Sequence, residues 1–305
     1  MKVSVVLCTY PSDRYEAFCD AADSILSQSY EPVELVVVVD SNDEVYERAV
    51  EDYGGRDDVI VHNNNENVGN LESVNKGVEI ATGDIVANMD DDATADEDWV
   101  DELVSAYQEK DALAVGGRIK PDWVAGEAKY IPEEFYWLIG ATHRGFREDA
   151  GEVRNTFGSN LSFKRDVFEN LGGFRTEIGD EERDRKLQGG ETELCARLYE
   201  EYGERVHYNP DAVVFHKIFD YRTRRRWLLR RAFWQGFSKR GMEVLVPESG
   251  GEEWGFLSDL LLRFVPSHLK SMVRRPALHK LDQLFMLFLL TAMVGFGYVY
   301  GVIKW

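Results

Sequence analysis

Three cysteines in 305 residues, at positions 8, 19 and 195, leave little room for disulfide or metal-thiolate chemistry. Their number is odd and their spacing matches no zinc pattern, so they read as reduced, buried thiols of a cytosolic domain. The apolar opening VSVVLCTY is too short for a signal peptide and runs into Pro11, so it reads as a first strand. No glycine-rich turn follows it, since LCTYPSDR contains none, which argues against a nicotinamide enzyme. An EF-hand fails as well: DDDATADEDWVDE lacks the turn glycine and carries Asp101 at its twelfth place. Cationic residues are scarce, 35 Lys and Arg against 55 Asp and Glu, for a net charge of −20. Such acidity keeps a surface solvated and reads as that of a halophilic or otherwise acid-rich proteome. Most acidic runs here are therefore expected to be solvated faces.

The charge is unevenly divided. Tyr221 to Trp305 carries 14 Lys and Arg against 6 Asp and Glu, whereas residues 1–220 carry 21 against 49. The basic stretch leads into an apolar run rather than interleaved aromatics and glycines, so no nucleic acid is expected as partner. That run, QLFMLFLLTAMVGFGYVYGVI from Gln283 to Ile303, has 21 residues without a charge. As a helix it is about 30 Å long, the thickness of a bilayer's hydrocarbon core. Arg274, Arg275 and Lys280 precede it, which places the preceding domain on the cytoplasmic face of the cell membrane. A helix that spans the membrane or lies along it is expected; a buried core helix is the alternative.

Over the first 120 residues, β-branched runs alternate with helical patterns. Strands are expected at Val3 to Cys8, Val33 to Val39, Val59 to Val61, Ile85 to Met89 and Ala112 to Val115, with helices in YEAFCDAADSILSQ, EVYERAVEDY and NLESVNKGVEIA. This alternation implies parallel βαβ units with both faces of the sheet covered. Ligands of such sheets sit at the carboxyl ends of the strands. Asp40 ends VELVVVVD there, and Asp90, Asp91 and Asp92 end DIVANMDDD. Three adjacent carboxylates at the end of a buried strand repel one another and lose solvation. A divalent cation completed by diphosphate oxygens would compensate them, Mg²⁺ or Mn²⁺ needing few protein ligands of its own. Asp90 and Asp92 can both face that ligand while Asp91 turns away or bonds locally.

At this point the residues resemble the family 2 glycosyltransferases, inverting enzymes of the GT-A fold. VVLCTY is similar to the family's opening strand, SILSQSY to its first helix and VELVVVVD to its second strand. NENVGNLESVNKGVEIATGDIVANMDDDA resembles the segment ending in the Asp-x-Asp metal motif, FGSNLSFKRDVFENLGGF the acceptor-side segment, and GGETELCARL the helix of the catalytic base. Two departures stand out. Val74 replaces an arginine frequent before Asn75, and Gly190 replaces the first acid of the usual Glu-Asp pair. The Gln-x-x-Arg-Trp motif of processive members is absent, so addition of a single sugar is expected.

The resemblance implies an α/β fold, a Rossmann-like, mixed and mostly parallel GT-A sheet with helices on both faces, and the apolar run adds a helical membrane-associated tail. It implies a nucleotide-sugar-binding half at 1–118 and an acceptor and catalytic-base half at 119–220. A basic amphipathic helical region at 221–282 and an anchoring helix at 283–303 complete the expected plan. Glu191 is the expected base, the alternative being an ordinary acid at a helix amino terminus. Thr9, Asp40, Asn75, Asp90 and Asp91 fall on the nucleotide-sugar side, Asp92 and His216 on Mn²⁺ or Mg²⁺, and Gly158, Ser159 and Asn160 on the acceptor and sugar side. Trp123, Tyr136 and Trp137 are expected either to stack on sugar or to fill a core.

Together with the halophilic composition, the resemblance points to haloarchaeal enzymes that extend dolichyl-phosphate-linked glycans for protein N-glycosylation of the surface layer. The expected reaction moves a hexose or hexuronic acid, with a lean to glucuronic acid, from a UDP- or GDP-linked donor to a lipid-linked saccharide. Basic residues beside the membrane would attract anionic headgroups near such an acceptor. A soluble or protein acceptor, and a non-catalytic sugar-nucleotide-binding scaffold, are the alternatives.

Overall fold

A computed structural model describes residues 1–176, 178, 187–246 and 252–305. The β-branched runs form β1 (Val3–Thr9), β2 (Val33–Val39), β3 (Val59–Asn63) and β4 (Ile85–Asp90), separated by α1 (Tyr15–Leu26), α2 (Asp43–Tyr53) and α3 (Asn70–Ile80). β5 (Ala93–Ala95), α4 (Trp99–Lys110), β6 (Ala114–Trp123), β7 (Gly151–Val153), β8 (Leu161–Lys164), α5 (Arg165–Asn170), α6 (Gly190–Tyr202) and β9 (Val206–Ile218) follow. Among the described residues these nine strands make one sheet in the order β3-β2-β1-β4-β8-β6-β9-β5, with β7 on β9.

The sheet is mixed. β3, β2, β1 and β4 are parallel, each joined through a helix, whereas β8 pairs antiparallel with both β4 and β6. Every residue of β2 from Glu34 to Val39 is buried, as a strand covered on both faces requires. One core cluster joins Leu7, Val37 and Met89 to Phe18 and Ile25 of α1 and Leu103 of α4; a second joins Val6, Val38 and Val86 to Val74, Phe168 and Leu194. The strand expected to end at Val115 instead runs to Trp123. Its glycines permit this, because a Cβ on Gly117 would stand 1.9 Å from the Ala212 carbonyl oxygen.

By contacts the chain divides into two units. The first holds residues 1–120, 147–185 and 190–216; the second holds 121–146, 186–189 and 217–305. The second is helical, with α7 (Asp220–Thr223), α8 (Arg225–Leu245), α9 (Glu252–Asp259), a π-helical turn Leu260–Phe264, α10 (Val265–Arg274) and α11 (Leu278–Lys304). Its core gathers Phe135, Ile139, Leu228, Phe264 and Leu290, and Trp123, Tyr136 and Trp137 pack against it, the core-filling outcome. Among the described residues α11 is the one helix long and apolar enough to cross a membrane. It begins at Leu278, five residues before the uncharged run.

Candidate active site

Strand order gathers the acidic residues. In the parallel register Thr9 lies beside Val39 and Cys8 beside Asp90, so Thr9, Asp40 and Asp90 to Asp92 leave the sheet at one carboxyl edge. β5 follows Asp92 at once and pairs antiparallel with β9, Ala93 against His216. That register sets Asp92 Oδ1 3.1 Å from His216 Nε2, with Asp90 Oδ2 3.9 Å from the same nitrogen. One ligand atom from each of Asp90, Asp92 and His216 lies within 4.8 Å of the others. Asp92 and His216 are buried, at 3% exposure each, while the Asp90 side chain is 39% exposed.

Asp91 turns away, as its place between the two requires. Thr9 Oγ1 donates to Asp91 Oδ2 at 2.7 Å. Burial and then the Asp92 charge push Asp91 up to about 6, against the Thr9 hydrogen bond and Arg14. The Cys8 thiol is raised by burial and, after it, by Asp91, Asp90 and Asp40. A negative field thus converges on this edge. Arg14, in the turn after β1, partly answers it, with Nη1 3.6 Å from Asp92 Oδ2. Sequence reasoning passed over Arg14, although a basic residue directly behind the first strand was the available signal. Two carboxylates and an imidazole fit a divalent ion such as Mn²⁺. Asp90 stands in that group beside the two ligands expected from sequence.

Glu191 occupies the first turn of α6, which begins at Gly190. A Cβ on Gly158 would stand 2.6 Å from Glu191 Oε1, so the carboxylate lies directly over the glycine backbone. The Gly158 carbonyl accepts from Asn88 Nδ2 at 2.8 Å, and the Asp90 N–H donates to Ser159 Oγ at 3.4 Å. The segment beneath Glu191 is thereby tied to the strand that ends in the aspartates. Two residues on, Glu193 is 1% exposed and held by Arg197 at 2.6 Å and Arg175 at 3.1 Å. Arg197 also donates to the carbonyls of Leu171 and Gly173, so Glu193 anchors the helix rather than serving chemistry.

Three expected ligand-side residues are engaged by the protein itself. Both N–H groups of the Asn160 amide go to the carbonyls of Arg118 and Ala212, and its oxygen accepts from Trp99 Nε1. Fully buried, Asn160 supports the Gly158–Ser159 turn from below. Asn75 bridges both backbone groups of Phe174 at 2.8 Å. Asp40 accepts from the Val68 and Gly69 N–H groups, each at 2.9 Å, and from Asn64 at 3.0 Å. Gly69 has φ +89°, a left-handed conformation that brings its N–H onto Asp40. A carboxylate offers about four acceptor positions, and these three donors occupy three of them.

A family profile described as "Glycosyl transferase family 2" matches residues 4–172, more than half of the chain. The chain belongs to glycosyltransferase family 2. This glycosyltransferase is 52% identical over 304 residues to the Haloferax volcanii protein named glucosyl-dolichyl phosphate glucuronosyltransferase, covering 99% of this chain and 97% of that one. The succinoglycan biosynthesis protein ExoM of Rhizobium meliloti is 28% identical over 159 residues, 51% of this chain and 47% of that protein.

Solved structures share the mixed α/β sheet of the GT-A fold. The Pyrobaculum calidifontis mannosyltransferase PcManGT, in complex with GDP-Man and Mn²⁺, superposes with a TM-score of 0.59 at 18% identity, over 99% of this chain and 86% of that one. The S. aureus TarS 1-349 complex with UDP-GlcNAc gives 0.56 at 15% identity, over 98% and 89%. At these identities the likeness concerns the fold.

Proposed function

We propose that this family 2 glycosyltransferase transfers a single glucuronosyl residue, with inversion, from a nucleotide-linked donor to a dolichyl-phosphate-linked glucose. The observation that carries this reading is the 52% identity, over nearly the whole of both chains, to the Haloferax volcanii glucuronosyltransferase. On it, Glu191 accepts the proton of the acceptor hydroxyl, and the lack of a side chain at Gly158 lets the carboxylate sit over the Gly158–Ser159 turn. The nucleoside diphosphate departs from the opposite face of the sugar.

Asp90, Asp92 and His216 would hold the divalent ion, which when bound neutralises charge on the leaving diphosphate. Asp40 and Thr9 orient the nucleotide from the ends of β2 and β1, and Ser159 faces the sugar. Arg14 stands ready to meet phosphate oxygens once Asp92 is engaged by the ion. The three cysteines are free, in keeping with work on the cytoplasmic face of the membrane.

The test is transfer itself, in concentrated KCl with Mn²⁺. The protein is incubated with glucosyl-phosphopolyprenol and with UDP- or GDP-linked glucuronate, glucose or mannose, and the lipid product is weighed by mass spectrometry. A gain of one hexuronic acid from the glucuronate donor supports the proposal. A gain of hexose alone, or of several sugars, contradicts it.

A further inference from the structure

Along α11 one row of apolar side chains is bare. Leu278, Leu281, Phe285, Phe288, Phe296 and Val299 are between 48% and 85% exposed. They recur every three or four residues, or a multiple of that, and so form a single stripe from the first turn almost to the last. The other side of the helix is packed: Met286, Leu287, Leu290, Gly297 and Gly301 are buried.

The packed side lies on α8 at backbone distance. A Cβ on Gly297 would stand 1.8 Å from the Phe233 carbonyl oxygen, and one on Gly236 would stand 1.9 Å from that of Val294. Arg225 pairs with Asp282 at 3.3 Å near one end, and a Cβ on Gly241 would meet the Trp305 ring at 3.3 Å at the other. The two helices therefore run parallel and in contact over their whole lengths.

That contact decides what α11 can do. A helix in backbone contact with a partner takes the partner along, and α8 carries Arg226, Arg230, Arg231, Lys239 and Arg240. Placing these at the depth of the hydrocarbon core is costly for each charge. Separating the helices instead would forfeit the packing that the glycines create. A stripe of one-sided exposure running the length of a helix is satisfied without either cost by lying in the interface plane.

A second exposed apolar set, Leu261, Leu262, Leu269 and Val273, occupies the π-helical turn and α10. Exposed Lys270, Arg274 and Arg275 adjoin it in sequence, and Lys304 closes α11. Cations beside bare aliphatic side chains match anionic lipid headgroups above acyl chains.

We propose that the helical unit is monotopic: α11 lies flat in one leaflet of an anionic bilayer with its bare stripe inserted, and does not cross. With the function proposed above this shares only the membrane as partner. The full chain is tagged at both termini and expressed, and sealed inverted membrane vesicles are treated with protease. Loss of both tags from the same side is expected; protection of the carboxyl-terminal tag alone would overturn the proposal.

Flotation with vesicles of equal phosphatidylglycerol and phosphatidylcholine, in 2 M KCl, supplies the second readout. The wild type should float, and a Phe285→Asp/Phe296→Asp variant with an unchanged circular dichroism spectrum should bind at least tenfold less. A wild type that stays unbound, whether as a monomer or as a dimer that covers the stripe, overturns the surface assignment. Neither readout depends on turnover, so a negative transfer assay leaves both standing.

Discussion

The Glu191 carboxylate rests on the Gly158 backbone, its Oε1 2.6 Å from where a Cβ on that glycine would stand. Gly158 carries no positive φ, so alanine fits its backbone and disturbs chiefly the carboxylate above. Gly158→Ala is expected to lower kcat at least tenfold through displacement of the base, with donor Kd changed less than threefold. Steady-state kinetics together with calorimetric donor titration separate the two effects.

On the proposed reading, metal affinity rests on Asp90, Asp92 and His216, which converge where β4 ends and β5 meets β9. Asp92→Asn and His216→Ala are each expected to weaken Mn²⁺ binding at least tenfold, read by calorimetry or by Mn²⁺ electron paramagnetic resonance. Chelation with EDTA is expected to abolish transfer reversibly. Asp91→Asn, whose partner is Thr9, is expected to leave Mn²⁺ affinity within threefold.

At the other end of the sheet, Glu34 is 5% exposed and accepts from Lys2, Ser4 and Thr82. Burial alone would raise its carboxyl, but these hydrogen bonds outweigh it and bring it from 4.5 to about 2. A depressed carboxyl stabilises the fold fully above its unfolded value and loses that contribution as pH falls from about 4.5 towards 2. Glu34→Gln is expected to cost about 2 kcal/mol at pH 7, with the gap from wild type closing over that acid range. Urea titrations of both proteins at stepped pH check the direction.

In the helical unit, Gly297 marks the closest approach of α11 to α8. Gly297→Leu forces the two backbones apart and is expected to lower the thermal midpoint by several degrees. Gly295→Leu, at a position where a Cβ meets nothing within 4 Å, is its control and is expected to change little. Differential scanning calorimetry of the two variants makes the comparison.

Local pattern revealed much of this. β-branched runs located the parallel strands to within two residues, and Asp90 and Asp92 stood out because a buried strand ran straight into them. His216 is a different case: its approach to Asp92 depends on β5 pairing with β9, Ala93 with His216 at a separation of 123 positions, a register that periodicity cannot convey. The same holds for Asn75 and Asn160, whose amides meet backbone groups of Phe174, Arg118 and Ala212, and for Arg14. Sequence gives the type and place of such side chains; only tertiary packing decides whether their polar atoms remain for a ligand.

The family's opening and metal-motif segments were legible together because each joins a β-branched run to polar residues at its carboxyl end. The packing of α11 was not, since 21 uncharged residues satisfy a spanning helix, an in-plane helix and a core helix alike. Gly297 and Gly301 within that run let α8 approach.

The central claim is that Glu191 takes the acceptor's proton in a metal-dependent transfer, and Glu191→Gln tests it most directly. The amide keeps the shape of the side chain and the start of α6 but cannot accept that proton. Turnover of lipid-linked acceptor should fall by about a hundredfold or more, while Mn²⁺-dependent donor Kd stays within threefold of wild type. Turnover close to that of the wild type would contradict the account and return Glu191 to the role of an ordinary helix-terminal acid.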